Sequence, residues 1–196
     1  MDPARATQPA LLGADATTPE PADLIALLIA GGDARLTDSA AQMSIIVTHP
    51  WRAGALVVEC SRRGVAATSV STPDDHIAVR TAHSPVLRPV VLAWVDGSAA
   101  RVPRGLFLDG RVLRLWAIAR GEPGAASYHL PLGDLDDPTR DLVGAALAAA
   151  GLPAALVAPP RGGRPFYRIV GRRRLHRLAE LVGDPPKQAP PGSWPS

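Results

Sequence analysis

Two short apolar stretches that end in glycine carry the carboxylates best placed to do chemistry. Leu24 to Asp33 reads Leu-Ile-Ala-Leu-Leu-Ile-Ala-Gly-Gly-Asp, and Val102 to Arg111 echoes it, with Asp109 and Gly110 near its end. Glycine supplies the left-handed backbone that stops a helix, so each stretch is predicted to be a short helix. An acidic residue at such an end invites a catalytic interpretation.

The other reactive side chains form no recognisable site. The five histidines are scattered, and none is spaced with Cys, Asp or Glu as metal ligands are. His129, beside Tyr128, has no nucleophile or acid near it in the sequence and is interpreted as structural. Cys60 is the single cysteine, which excludes an internal disulfide and predicts a buried, inert thiol in a reducing compartment. We therefore expect no metal and no cofactor.

Apolar periodicity and turn residues predict the same order of elements twice. The first half is predicted to contain a helix from Pro21 to Gly31, strands at Leu36 and Met43–Thr48, a helix at Pro50–Arg63, strands at Val65–Ser71 and His76–Thr81, and a helix at Val86–Val95. The second half is predicted to contain a helix at Pro103–Leu108, strands at Arg111–Arg120 and Ser127–Leu132, a helix from Asp137 to Gly151, strands at Leu152–Ala158 and Pro165–Val170, and a helix at Arg172–Val182.

The two halves also share a junction. Glycine follows a helix at Gly64 and at Gly151, an offset of 87 residues, so a tandem duplication is favoured over two unrelated sets of core helices. The predicted repeats are residues 21–98 and 101–183. The flanking residues 1–20 and 184–196, poor in large apolar residues or rich in proline, are predicted to be disordered tails. Trp194 would then be exposed, as a docking element or as a remnant.

Basic residues are concentrated in the second half of the chain. Residues 1–49 carry two arginines and six acids, residues 50–100 five basic and four acidic groups, and residues 101–196 fourteen basic and eight acidic groups. This distribution is compatible with nucleic-acid binding and equally with a solvated face. The chain has no run of eighteen apolar residues and no apolar region of a secretory signal near Met1, so we expect a cytoplasmic protein without a membrane partner.

Three sequence elements in a fixed order resemble a known family. Arg104–Leu108 (RGLFL), Ser127–Leu130 (SYHL) and Gly151–Ala154 (GLPA) look like the RGAFL, SYHLE and GLPAK elements of the LAGLIDADG-derived domain of WhiA-type sporulation regulators. The resemblance covers roughly Ala22 to Gly183. It implies an α+β fold, a tandem duplicated αββαββα LAGLIDADG-like arrangement with two antiparallel sheets forming a saddle. The two motif helices would pack at the pseudo-twofold axis.

The sequence departs from the nuclease pattern at the motif ends. A LAGLIDADG nuclease needs an acidic residue near the end of each motif helix, because the two carboxylates together hold divalent metal beside the scissile phosphates. Gly31 and Gly110 occupy these positions here, and a shift of one residue turns a side chain by about a hundred degrees around a helix. We therefore expect no catalytic residues and no enzyme activity, with residual metal binding by Asp33 and Asp109 as the alternative.

A second departure concerns the C-terminal end. The regulators carry a C-terminal helix-turn-helix domain, and about thirteen proline-rich residues after Gly183 leave no room for one. We therefore do not transfer the operator recognition of that helix-turn-helix domain to this chain.

Arginines interleaved with aromatic residues are the candidate DNA contacts. Charge and stacking suit nucleic acid, although the same pattern suits a soluble sheet edge. Arg172 and Arg173 begin the last predicted helix, where cations oppose the helix dipole; a phosphate, an acidic partner or plain solvation could favour them. The predicted DNA-binding residues are Arg114, Trp116, Arg120, Arg164, Arg168, Arg172 and Arg173.

These features predict a non-catalytic LAGLIDADG-fold protein that binds double-stranded DNA in transcriptional or chromosomal regulation, associated with the nucleoid. The alternative is a protein-interaction scaffold that engages a transcription regulator or RNA polymerase. It is favoured by the weakly basic first half, which would make half the saddle a poor phosphate surface.

Overall fold

A computed structural model describes residues 13–14, 17–96, 99–100, 105–159 and 163–196. The first half contains a 3-10 turn (Pro21–Leu24), α1 (Ile25–Ile29), β1 (Asp33–Leu36), β2 (Ala41–Val47), α2 (Pro50–Arg62), β3 (Ala67–Ser71), β4 (Ile77–Thr81), a second 3-10 turn (Pro85–Leu87) and α3 (Arg88–Trp94). A short ribbon of β5 (Val95–Asp96) and β6 (Ala99–Ala100) leads to α4 (Gly110–Arg120), β7 (Glu122–Gly124), β8 (Ser127–Pro131), α5 (Asp137–Ala149), β9 (Ala155–Val157), β10 (Phe166–Val170) and α6 (Arg172–Val182).

Two four-stranded antiparallel sheets have the same topology. Their strand orders are β1-β2-β4-β3 and β7-β8-β10-β9. The register also repeats, since Ser44 pairs with Arg80 in the first sheet and His129 pairs with Arg168 in the second. The α+β fold with two equivalent halves that the sequence predicted is therefore confirmed.

Each sheet has one covered and one open face. Along β2, Ile45 and Val47 are buried, whereas Ile46 between them is 49% exposed. Along β10, Tyr167 and Ile169 are buried and Arg168 is exposed. This alternation follows from the two-residue period of a strand and agrees with the sequence prediction. We call the uncovered side of the two sheets the open face.

The strand predicted at Arg111–Arg120 is wrong, because these residues form α4. The Asp109 carboxylate caps the helix by accepting hydrogen bonds from the backbone N–H groups of Arg111 and Val112. Leu113 and Leu115, two apart, are typical of a strand, but α4 is buried on nearly all sides and therefore lacks the polar face that marks a helix.

The motif helix predicted at Pro103–Leu108 is also wrong for the residues described. Gly105–Asp109 is not helical, and Pro103 and Arg104 lie outside the described residues. Hence the helix that corresponds to α1 is Gly110–Arg120, and Gly110 begins it rather than ending it. Gly110 fits there because its missing side chain leaves space for the backbone of Gly13 and Ala14.

The C-terminal residues pack against the protein, in contrast to the predicted disordered tail. Trp194 is 8% exposed, and its indole Nε1 donates a 2.8 Å hydrogen bond to the carbonyl of Gly183. The Arg114 guanidinium lies 5.5 Å from the ring centroid. A large aromatic side chain with its polar atom satisfied anchors this proline-rich segment despite the segment's composition. In the part of the chain that the structure describes, no helix has the length and apolarity to cross a membrane.

Candidate nucleic-acid interface

Two buried helices, α1 and α4, pack against each other between the sheets. Ala26 on α1, Ala30 at its C-terminal cap and Ala119 on α4 are inaccessible or almost so. Small residues on packed helices allow their backbones to approach closely, which is the role that the sequence predicts for Ala26 and Ala30. Each helix is followed by the first strand of a sheet, and Asp33 and Glu122 begin these equivalent strands, β1 and β7.

Buried ion pairs hold the N-terminal ends of these helices. Glu59 of α2 contacts Arg63 at 2.7 Å and Arg114 of α4 at 2.9 Å, and Arg63 contacts Asp23 at 3.0 Å. Burial would raise the pKa of Glu59, but hydrogen bonds from Arg114 and Arg63 outweigh it and hold that pKa below its ordinary value. Burial prevails at Asp23, whose pKa is raised.

This arrangement removes two predicted DNA contacts from the surface. Arg114 is bound in the ion-pair network and also donates to the carbonyls of Val182 and Asp184. Trp116 is fully buried, with its Nε1 donating a 2.8 Å hydrogen bond to the Pro131 carbonyl. Both were assigned to an exposed strand face, and the helix places them inside.

The C-terminal ends of the two helices meet the open face. Counting back from the first residues of β1 and β7, Gly31 corresponds to Arg120, an offset of 89 residues. The acidic positions of a LAGLIDADG nuclease are therefore held by Gly31 and Arg120, and the earlier assignment to Gly110 is corrected. Asp109 caps the start of α4, at the opposite end of the helix pair from Asp33.

The backbone carbonyls at the C-terminal ends of α1 and α4 accept hydrogen bonds from different kinds of donor. The carbonyl of Ile29 on α1 accepts a 2.8 Å hydrogen bond from the backbone N–H of Gly133. On α4, the equivalent carbonyl of Ile118 accepts from Nη1 of the buried Arg52 at 2.7 Å, and Nη2 donates to Gly121 at 2.5 Å. A cation suits the negative end of a helix dipole, so Arg52 is a fixed charge beneath the open face.

Arg120 and Arg164 lie together above this end of the helix pair. They border a groove of about 710 Å³ that also includes Gly31 and Arg80 of the first half. Burial lowers the pKa of Arg120, as does repulsion from Arg164 and Arg52, while Glu122 opposes the shift. Arginine remains charged at neutral pH, so the groove has a positive end.

A row of equivalent side chains crosses each sheet on the open face. Arg80 and Arg168 occupy matching positions, both are exposed, and neither makes an ion pair within the described residues. The sequence interpretation missed Arg80, although Arg80 directly follows the apolar Val79 on a predicted strand, and strand alternation places the two on opposite faces. The rows are Asp33, Ser44, Arg80 and Thr68, and Glu122, His129, Arg168 and Ala155.

The predicted contacts Arg172 and Arg173 lie elsewhere. Both are exposed at the start of α6 and border a separate groove with Gly151 and Pro153. The structure thus brings Arg120 and Arg164 into one groove, leaves Arg168 outside that groove on the second sheet, and separates the α6 arginines. Across the described ranges, no group of three or more His, Cys, Asp or Glu side chains could hold a metal ion.

Comparison with solved structures identifies the fold. No model of a protein family and no curated protein matches the chain by sequence. The homing endonuclease I-WcaI, bound to its DNA recognition sequence, superposes with a TM-score of 0.63 at 10% identity, over 87% of this chain and 84% of that one. The N-terminal LAGLIDADG domain of WhiA gives 0.56 at 13% identity, over 85% and 83%.

Full-length WhiA from Thermatoga maritima is also similar, with a TM-score of 0.59 at 12% identity; the match covers 85% of this chain and 56% of WhiA. At such identities the likeness speaks for the fold. With its two equivalent sheets and its pair of central helices, the chain has a LAGLIDADG-like fold, similar to that of I-WcaI and of the N-terminal domain of WhiA.

Proposed function

We propose that this protein binds double-stranded DNA on its open face and does not cut it. The observation that carries the proposal is the repetition of an exposed arginine that makes no ion pair with any described residue, Arg80 in the first half and Arg168 in the second. Charges repeated about a pseudo-twofold axis suit the two backbones of a duplex, and arginine binds phosphate with two parallel hydrogen bonds. The endonuclease I-WcaI, of the same fold, is seen with DNA.

The helix ends support binding without cleavage. Gly31 has no side chain to ligate a metal, and the guanidinium of Arg120 repels one. Hydrolysis by this fold needs carboxylates that hold divalent metal beside the phosphates. Asp33 and Glu122 are the acids that most closely follow the two helix ends in the sequence, so they are the residues to substitute if cleavage is ever seen.

Fluorescence anisotropy with a labelled duplex tests binding. Each phosphate contact contributes about −0.9 to the slope of log K against log salt, so the Arg80→Gln/Arg168→Gln variant should bind more weakly and lose about 2 from that slope. Lys187→Gln, which removes an exposed charge in the C-terminal segment on the helix side, is the control and should keep the slope. Absence of binding at low salt, or binding without salt dependence, would refute the proposal.

A nicking assay tests the second half of the proposal. Supercoiled plasmid incubated with the protein and Mg²⁺ or Mn²⁺ should stay intact. Metal-dependent cleavage that disappears in Glu122→Gln or Asp33→Asn would overturn it.

We infer a regulatory role in transcription or chromosome organisation for such a non-cutting DNA-binding protein, with a place in the nucleoid. The inference predicts that the protein co-sediments with DNA and is released by nuclease treatment. A protein that stays in the free fraction of untreated extract would contradict it.

A protein-binding scaffold remains the second candidate, for a regulator or RNA polymerase. It is favoured by a cross-strand apolar row on the open face of the first sheet, where Ile46 is 49% exposed and Val70 61% exposed, with Ala78 between them. If this row is the functional surface, Val70→Ser, which adds no charge to the open face, should abolish partner capture from nuclease-treated lysate and leave DNA affinity unchanged. The Arg80→Gln/Arg168→Gln variant should do the reverse.

A further inference from the structure

We propose that Arg120 and Arg164 together form a binding site for a single phosphate group at the C-terminal ends of the central helices. The inference rests on the proposed function in one respect: the phosphate of interest is a phosphodiester of bound DNA. A free phosphate ion has the same chemistry, and the test below separates the two sources.

The first observation is a buried donor without a partner. The Nε atom of Arg120 is inaccessible and makes no hydrogen bond to any described residue. Buried polar groups in native proteins are nearly always paired, and an unpaired one calls for a specific explanation. Arg120 borders the groove on the open face, so an anion bound there lies beside its side chain, and a small rotation of the guanidinium would bring Nε to it.

The second observation is the position of Arg164. This residue is exposed, makes no ion pair within the described part of the chain, and lies above Gly31. A Cβ atom added at Gly31 would be 2.9 Å from the Arg164 Nη1 atom. The guanidinium therefore takes the space that a side chain at position 31 would need, beside the end of α1.

The third observation is an accumulation of like charges. Arg52 is immobilised beneath the site by its hydrogen bonds to the carbonyls at the end of α4. Arg52 and Arg164 both repel the guanidinium of Arg120. Glu122 is the one acidic group that acts on Arg120 in the opposite sense. The groove also includes the carboxylate of Asp33, so three guanidinium groups lie near two carboxylates; the remaining excess of positive charge is one that an anion between Arg120 and Arg164 would neutralise.

In this geometry, arginines rather than metal-binding carboxylates are the groups at the helix ends that hold phosphate. Carboxylates at the helix ends hold a cation that in turn contacts phosphate and activates water. Arginines at the same ends contact phosphate directly and activate no water. The site would keep DNA positioned at the pseudo-twofold axis while the hydrolytic step is lost.

NMR of the arginine Nε–Hε groups of the full-length protein tests the site. The Arg120 signal, assigned by its absence in Arg120→Lys, is followed while inorganic phosphate or a short duplex is added. A shift with both ligands supports a site open to free anions, and a shift with duplex alone supports a phosphodiester site. No shift with either, while the wild type still binds duplex, overturns this inference and leaves the proposed function intact.

A shift with phosphate in a protein that fails to bind duplex would instead support the site and refute the proposed function. Arg164→Gln serves as an independent variant, because its side chain is exposed and its loss does not disturb the core. It should weaken duplex binding about tenfold and remove about 0.9 from the salt slope, whereas Lys187→Gln should leave the Arg120 shift unchanged. Unchanged affinity in Arg164→Gln would contradict the two-arginine site.

Discussion

Substitution of Gly31 by alanine tests why the first motif helix lacks a carboxylate. Gly31 has a φ of +88°, a region that residues with a Cβ rarely adopt. Its added Cβ would also lie 2.9 Å from the Cα of Gly133 and 2.9 Å from Nη1 of Arg164. The arginine can move, but the Gly133 backbone is fixed by its hydrogen bond to Ile29.

The expected loss of stability has two parts. The positive φ costs about 1–2 kcal/mol for a residue with a Cβ. The contact with the Gly133 backbone adds about 1–3 kcal/mol, the usual range for overpacking. Gly31→Ala should therefore lower the free energy of unfolding by about 2–5 kcal/mol, which for a protein of this size corresponds to a fall in Tm of roughly 4–20 °C.

Gly64→Ala is the matched control. Gly64 also follows the C-terminal cap of a helix with a positive φ, +70°, but a Cβ there would meet nothing within 4 Å. Urea denaturation of both variants isolates the contact with Gly133 as the difference between them. Equal losses in the two variants would refute the steric reasoning, and a carboxylate at position 31 would then be structurally permissible.

Three further predictions concern the helix side of the protein. Glu59→Gln should lose about 3–5 kcal/mol of unfolding free energy at pH 7, because Arg63 and Arg114 lose their buried partner. Since the pKa of Glu59 is depressed, its contribution to stability is present above the unfolded pKa and is lost as pH falls through the folded pKa. Urea denaturation at decreasing pH should therefore show a smaller loss of stability in this variant than in the wild type. Trp194→Ala should cost about 3–5 kcal/mol and expose the C-terminal segment to limited proteolysis, and unchanged cleavage would contradict its anchoring role. Burial raises the pKa of the Cys60 thiol to about 11, so a disulfide reagent at pH 8 should react with it only after unfolding, and rapid labelling of the native protein would contradict its burial.

Sequence patterns predicted much of the fold because many elements have one covered face. The predicted bounds of α6 agree with the structure, since Leu178 and Val182 recur at helical spacing among arginines. The alternation at Ile45 and Ile46 in β2 and the glycine junction before β3 were predicted for the same kind of reason. Each of these signals is local and can be recognised without knowing which surface the element packs against.

The candidate site was less predictable. Arg168 and Arg164 were identified from the pattern, but Arg114 and Trp116 were assigned to the wrong surface together with the helix that contains them. Arg52 gives no local signal, because its role depends on carbonyls more than sixty residues away.

The sequence by itself determined the α+β class, the duplicated arrangement and the glycine at position 31, because periodicity and residue identity are properties of the chain. Tertiary structure decided which segment is the second motif helix, since a helix buried on nearly all sides lacks the broad polar face that would reveal it. It also decided that Arg120, rather than Gly110, occupies the position in the second half that is equivalent to Gly31, and that Arg164 lies above that glycine. Charges distant in sequence form one site only when the fold brings them together.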